Sequence, residues 1–298
     1  YCPPQNKIES RDGNGELINP AGTLILPSTL GSVAQNAVNN NLYLKDLVTS
    51  SVIKLNANSF IGCNNLETIT AQEYVTIGDM AFMDCVALKE VHLLNVAIVG
   101  ANAFKNCSSL SVLDHTYNEG TKGSTIGTSA FENCTSLTEL MLCGWANIGA
   151  SAFKGCTGVT KLVAVDGIGT IGNNCFEGCT AMETADLSNA GKNVVAKAGA
   201  KFTFGSYVFK DCSGLTQADL PTGLLGVSTG TFQNCTSLET ATTGENTGSI
   251  CNLAFDNCIS LVNPPSPRFL VRIDENAFRG CVKLNEYKLT RSVLIIHD

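Results

Sequence analysis

The stretch Ile77-Gly78-Asp79-Met80-Ala81-Phe82-Met83-Asp84-Cys85, continued by Leu88-Lys89-Glu90-Val91-His92-Leu93, is one copy of a unit that recurs along the chain. Its Phe is repeated at Phe60, Phe104, Phe131, Phe153, Phe176, Phe209, Phe232, Phe255 and Phe278, and each is followed three residues later by Cys and six residues later by Leu or a close substitute. The spacing is mostly 22 or 23 residues, the period of a solenoid in which each unit buries its apolar side only against its neighbours. An eleventh, weaker copy at the front places Val33, Val38 and Leu44 in the equivalent positions.

Each position of the unit carries a chemical requirement. Five residues before Phe the side chain is always apolar, from Leu55 and Ile77 to Ile250 and Ile273, which predicts an inward-facing position. Four before it, six copies carry Gly (Gly78, Gly100, Gly127, Gly149, Gly172, Gly205), which suits a tight turn and close stacking of coils. Two after it, the ten copies use only Gly, Asn or Asp, the types that tolerate positive φ, so a short helical turn around Ala-Phe is expected to end there in a left-handed cap. The segment after Cys, as in Leu137-Thr138-Glu139-Leu140-Met141-Leu142, alternates over its second half and reads as a strand. Repeated strands of this kind lie parallel, about 4.8 Å apart, with one face on the core and the other open.

The pattern resembles the BspA-like leucine-rich repeat family, whose unit runs roughly Leu-x-x-Ile-x-Leu-Pro, then Ile-Gly-x-x-Ala-Phe-x-x-Cys. Ile148-Gly149-Ala150-Ser151-Ala152-Phe153-Lys154-Gly155-Cys156 is a second close match, and the resemblance covers about residues 33 to 298. It implies an α/β leucine-rich-repeat solenoid: a right-handed curved superhelix of about 11 repeats, with a parallel sheet on the concave face and short helical or irregular turns on the convex face. Residues 1–32 are expected to form an N-terminal cap, with Leu24 to Pro27 as its first strand, and 33–298 the repeat domain. Departures cluster late: Pro264 takes a strand position in the ninth copy, and Ala185, Ala218 and Ala241 thin the core of the sixth to eighth.

Fourteen cysteines would suggest a disulfide framework, but ten occupy the same position of the unit, which makes them packing residues forming a reduced internal ladder. Stacked in register, their side chains point the same way, against the dihedral a bridge needs. Cys175 and Cys251 replace small residues of the unit, Cys143 follows a strand, and Cys2 lies in the leader. The net charge of −7 comes without any Lys/Arg cluster, which argues against nucleic acid as a partner. No apolar run is long enough for a transmembrane segment. The start at Tyr1-Cys2-Pro3-Pro4 suits a processed or trimmed chain, and Ser292 to Ile296 enters a further turn without completing it.

Two irregularities bear on function. Spacing grows to 27 between Phe104 and Phe131 and to 33 between Phe176 and Phe209, through extensions near 114–124 and 188–203. Both follow the strand, so both are expected on one rim of the open sheet, either as binding loops or as tolerated surface insertions. The outward strand positions, eight and ten residues after Phe, include Glu90 and His92, Val112 and Asp114, Glu139 and Met141, and Lys161 and Val163. Val112, Met141 and Val163, with Trp145 and with Tyr117 of the first extension, read as an apolar and aromatic patch rimmed by charge, a candidate protein or glycan contact surface. The alternative is isolated apolar residues scattered on a sheet.

A thiol, an imidazole and a carboxylate, Cys143, His92 and Asp114, raise the question of an enzyme. The expected stacking order puts Asp114 between the other two, whereas nucleophilic catalysis needs the imidazole against the thiol. A flat column of Glu90, His92, Asp114 and His115 does not converge as metal ligands. No catalytic, metal or cofactor site is therefore expected. Asn106-Cys107-Ser108, Asn133-Cys134-Thr135 and Asn234-Cys235-Thr236 match the glycosylation acceptor pattern, but the repeat itself generates them. The resemblance implies a secreted or cell-surface recognition and adhesion module for host matrix or cell-surface proteins. The alternatives are a structural spacer presenting other domains and a carbohydrate-binding or hydrolytic accessory protein.

Overall fold

The computed structural model describes residues 22–49, 53–115, 124–165, 167–191, 202–287 and 295–296. The chain divides into two compact units, Tyr1–Leu137 and Thr138–Asp298, each a set of stacked coils. Ten coils are centred on the repeated Phe, and the front copy adds another, its Asn36 and Asn40 having φ of 59° and 53° two residues either side of Val38. The expected first strand is present as Thr23–Leu26, parallel to Asp46–Thr49.

In the first unit the strands continue in register, so that Asp46, Thr68, Glu90 and Val112 form one column and Val48, Thr70, His92 and Asp114 the next outward one. In the second, Glu139–Leu142, Lys161–Ala164, Thr184–Asp186, Gln217–Asp219 and Thr240–Thr242 pair in parallel in the same way. The ninth copy keeps only an isolated bridge, Thr240 to Asn263, because Pro264 brings no N–H to a ladder. The coil also holds a second parallel strand that the repeat pattern does not announce. It ends on the apolar residue five before Phe, as in Ser249–Ile250 and Arg272–Ile273, or fuses with the first strand in Thr68–Ile77 and Glu90–Val99.

The helical turns expected opposite the strands are not formed, and no helix occurs among the described residues. The reason is a second left-handed position. All ten residues two after Phe have positive φ, as anticipated, but so do all ten residues two before it, including Met80 (53°), Tyr207 (59°) and Leu253 (58°). Two left-handed residues four apart interrupt the run of right-handed φ/ψ an α-helix needs. The backbone instead alternates its hydrogen bonds. Met80, Phe82 and Asp84 donate to Ala101, Ala103 and Lys105 of the next coil at 2.8, 2.8 and 2.9 Å, while Ala81, Met83 and Cys85 donate within their own coil to residues three earlier. Nearly every amide is thus satisfied while half of them tie neighbouring coils together.

The core follows from this stacking. Nine of the ten Phe rings are fully buried, and successive rings lie 5.2, 5.3 and 5.1 Å apart from Phe60 to Phe131 and 5.2 to 5.7 Å apart from Phe153 to Phe278. The separation is near the coil rise, so each ring slides over the next in an offset stack, worth about 0.5–1.5 kcal/mol per pair beyond its burial. Tyr287 closes the row edge-on against Phe278 and donates its hydroxyl to Pro265 O at 2.7 Å.

The cysteines do more than fill space. Most of these thiols donate to the backbone carbonyl of the Phe one coil back: Cys85 to Phe60, Cys107 to Phe82 and Cys134 to Phe104 at 3.3, 3.2 and 3.2 Å, Cys179 to Phe153 at 3.3 Å, and Cys212, Cys235, Cys258 and Cys281 likewise at 3.0 to 3.1 Å; Cys63 donates to Val38 O, the equivalent position of the front copy, at 3.1 Å. That carbonyl also accepts the Cys amide of its own coil. All the repeat cysteines are free thiols. Burial pushes Cys63 and Cys281 up to about 11 and raises the inner Cys107 and Cys258 further.

Beside them runs an amide ladder. Asn106 donates Nδ2 to Asp84 at 2.8 Å and Asn133 to Asn106 at 3.0 Å; Asn234 and Asn257 repeat the arrangement behind Asp211. The three acceptor-pattern asparagines therefore have their amide nitrogens engaged in holding adjacent coils. Among the described residues, no helix is long and apolar enough to cross a membrane.

The repeated Gly is required by close approach. A Cβ on Gly127 would lie 2.6 Å from Ala101 N and 2.7 Å from Gly100 C, whereas one on Gly31 meets nothing within 4 Å. Gly127→Ala is expected to lower stability by about 1–3 kcal/mol in chemical denaturation, and Gly31→Ala to cost nothing. In native protein at pH 8, mass spectrometry after brief thiol alkylation should find label on the half-exposed Cys143 and Cys251, little on Cys281, whose thiol is held protonated, and none on Cys107 or Cys235, which should react only at the rate of unfolding.

Candidate functional site

In each strand the middle residue of the alternation points inward and its two neighbours outward. Ile69, Val91 and Leu162 are buried, while Glu90, Glu139 and Lys161 are exposed. The outward face of the first unit centres on His92. Its Nδ1 lies 2.9 Å from Asp114 Oδ2 and its Nε2 3.3 Å from Glu90 Oε2. Both ring nitrogens face carboxylates, which leaves His92 no nitrogen to activate a nucleophile. Alongside, Thr68 donates to Asp46 at 2.6 Å, and Thr23 donates to the other oxygen of that carboxylate at 3.2 Å. Lys89 pairs with Glu67 at 2.7 Å and holds that carboxyl below its ordinary value. Val112 is half-buried beside this polar cluster.

The outward face of the second unit has a different character. Met141 is 68% exposed and pairs in register with half-buried Val163, while Glu139 pairs with Lys161. Farther along the same sheet the column becomes acidic. Asp186 stands next to Asp219, which accepts hydrogen bonds from Gln217 at 3.0 Å and Thr242 at 2.5 Å.

Trp145 corrects the sequence reading. It is only 3% exposed, because Gly144 (φ 73°) turns the chain and the strand Trp145–Ile148 begins with its indole packed inward. It adds volume to the core and no aromatic surface to a patch. Tyr117, and most of the extensions near 114–124 and 188–203, lie outside the described residues. The structure thus brings Glu90, His92, Val112 and Asp114 together on one sheet and Glu139, Met141, Lys161 and Val163 together on another. Sequence reasoning omitted Asp46 and Val48, which the front copy adds to the first face; the signal was the strand Asp46–Thr49 at the same offset from Val38 that later strands have from Phe. Among the described residues no group of three or more His, Cys, Asp and Glu side chains is placed to hold a metal ion.

The sequence pattern of the family described as BspA type Leucine rich repeat region matches residues 19–111, 117–198 and 202–298, in six copies. Among solved structures, a leucine-rich repeat protein from Bacteroides ovatus is similar at 21% identity and TM-score 0.51, over 95% of this chain and 84% of that one. A leucine rich cell surface protein from Faecalibacterium prausnitzii aligns over 100% and 94% at 16% identity and TM-score 0.40, and the pneumococcal vaccine antigen PcpA over 92% and 83% at 16% and 0.41. A comparison with curated protein sequences finds no match.

The ion-paired cluster on the first face is solvent-exposed, so its bonds contribute little to folding. His92→Gln and Asp114→Asn are each expected to change the denaturation free energy by less than about 0.5 kcal/mol, with a coupling in the double-mutant cycle below about 1 kcal/mol.

Proposed function

The chain belongs to the BspA-type leucine-rich repeat family, and we propose that it is a non-catalytic recognition and adhesion module, displayed at a cell surface or secreted, that binds a protein ligand through its outward strand faces. The observation that carries this reading is the open sheet. Parallel sheets are ordinarily covered on both faces, yet here Glu139, Met141 and Lys161 stand exposed on strands whose intervening residues are buried. A methionine with most of its surface in water costs stability and offers a soft, adaptable contact, and Val163 extends it. Exposed charges beside it supply a polar rim. In the first unit Glu90, His92 and Asp114 offer a fixed pattern of charge around Val112 suited to a polar patch on a partner. The extensions near 114–124 and 188–203, with Tyr117, are proposed as additional contact loops because each follows a strand of the repeat.

The test is an array of matrix proteins, cell-surface proteins and glycans probed with the whole chain and with Met141→Glu/Val163→Glu. A protein ligand bound by the parent and weakened at least about tenfold by the double substitution, at unchanged thermal stability, is the expected result. Undiminished binding would remove this face, glycan-only binding would replace the ligand class, and absence of any binding would leave a structural spacer.

A further inference from the structure

We infer that the C-terminal unit is jointed: its coils part between Thr203–Phe204 and Gly226–Val227 and turn about the first-strand ladder that joins Gln217 to Thr240. The joint lies inside the Thr138–Asp298 unit and does not depend on which ligand the outward faces take.

Three observations fall at this one interface. First, the ladder of second strands is broken there. Asn147 pairs with Thr170 and Thr170 with Thr203, and beyond the break Gly226 pairs with Ser249, Ser249 with Arg272 and Arg272 with Ile295. The strands Thr203–Phe204 and Gly226–Val227 belong to separate sheets. The residue after the inward side chain reports the same change. Gly172, Gly205, Cys251 and Asp274 each donate an amide to the inward residue one coil back, at 2.8 to 2.9 Å, whereas at the break the bond to Phe204 O comes from the Ser228 hydroxyl, at 3.1 Å.

Second, the charged row one residue after Phe is interrupted between the same two coils. Glu177 is gripped by Lys154 at 3.0 Å and by Lys210 at 3.6 Å, one from the coil on each side, and Asp256 in the same way by Gln233 and Arg279 at 3.0 and 2.8 Å. Each carboxylate thus closes a set of three coils. Lys210 otherwise turns to Asp211 of its own coil at 3.7 Å, and among the described residues no side-chain bond of this row crosses from one set to the other.

Third, the sequence supplies a cause. The inward position five before Phe holds Ile148, Ile171, Phe204, Val227 and Ile250 in successive coils, and of these only Phe204 is not fully buried. Its ring leans on Phe202, with centroids 6.2 Å apart and planes at 38°. A phenyl group where the neighbouring coils accommodate Ile or Val holds the next strand away.

What remains at the interface defines the axis. Gln217, Ala218 and Asp219 pair with Thr240, Ala241 and Thr242, Phe209 stacks on Phe232 at 5.6 Å, and Cys235 donates to Phe209 O at 3.0 Å. The later coils lose most of the first ladder at Asn263 but keep the second ladder and the grip on Asp256. In a stack where each coil touches only its neighbours, an interface stripped of one ladder and of its ion pair opens before those that keep both. Opening here bends the outward column Met141, Val163, Asp186, Asp219 and Thr242 at its last step and leaves the earlier steps fixed.

Hydrogen exchange followed residue by residue by NMR on the whole chain, corrected for intrinsic rates, tests the joint. Tyr207, Phe209 and Asp211 donate across it to Thr229, Thr231 and Gln233. Their amides are expected to exchange at least about tenfold faster than Asn174, Phe176 and Gly178, which make the same bonds one interface earlier, and than Gly230, Phe232 and Asn234 one interface later. Thr240, on the axis, should stay as protected as the flanking sets. Phe204→Ile, which restores the aliphatic side chain of the neighbouring coils, is expected to slow the three amides at least about tenfold. The inference is overturned if the three amides exchange no faster than the flanking sets, if Thr240 opens together with them, or if a folded Phe204→Ile leaves their rates unchanged. If Phe204→Ile is destabilised, Phe204→Val replaces it, and the comparison within the parent protein decides without either variant.

Discussion

Within each unit, thiols join successive coils. The carbonyl of the repeated Phe accepts two donors, the amide of the Cys three residues on and the Sγ–H of the Cys in the following coil. A hydroxyl at this depth would demand stronger bonding and an alanine would leave both a void and an under-used carbonyl. Cysteine is small enough to sit beneath the phenyl ring, apolar enough to be buried, and still donates. Individually such a contact is weak, and the ring stacking alongside it is worth only about 1 kcal/mol per pair. Repeated from coil to coil within each unit, and tied to an alternating backbone ladder on the turn arm, these terms fix the rise per coil and hence the register of the strand columns.

That register is what turns the chain into a display. Because Met141 must sit beside Val163, and His92 between Glu90 and Asp114, surface residues far apart in sequence are held in rows by contacts made inside the coils. The faces are free to vary without disturbing the core. The same division of labour separates two glycines at different positions of the unit: Gly127, four before Phe131, is fixed by the neighbouring backbone, whereas Gly248, seven before Phe255, meets only ordinary contacts.

Much of the architecture was legible because solenoid positions are tested once per coil. The inward residue five before Phe, the left-handed residue two after it, the reduced cysteine row and the parallel strands all follow from repeated chemistry. The turn arm was misread as helical because its second left-handed position is filled by Met80, Tyr207, Leu253, Ser129 and Ser151 as well as by asparagine. Residue type carries no signal where hydrogen bonds to the next coil impose the conformation. Trp145 was misplaced for a related reason: it lies in the corner between strands, where a glycine decides the direction of the following side chain, as Gly167 does for buried Ile168 in the next coil. The outward columns were read correctly in register, yet nothing in the sequence distinguished the ion-paired cluster at His92 from the exposed methionine at Met141.

The claim that the thiols bind coil to coil is open to one direct observation, the S–H stretching band in the Raman spectrum of the native protein. Thiols donating to the Phe carbonyls put the main band below the wavenumber of a non-bonded thiol, with no S–S band from the repeat cysteines, and the band should move up on unfolding. A native band already at the non-bonded position, or an S–S band in its place, would contradict the account.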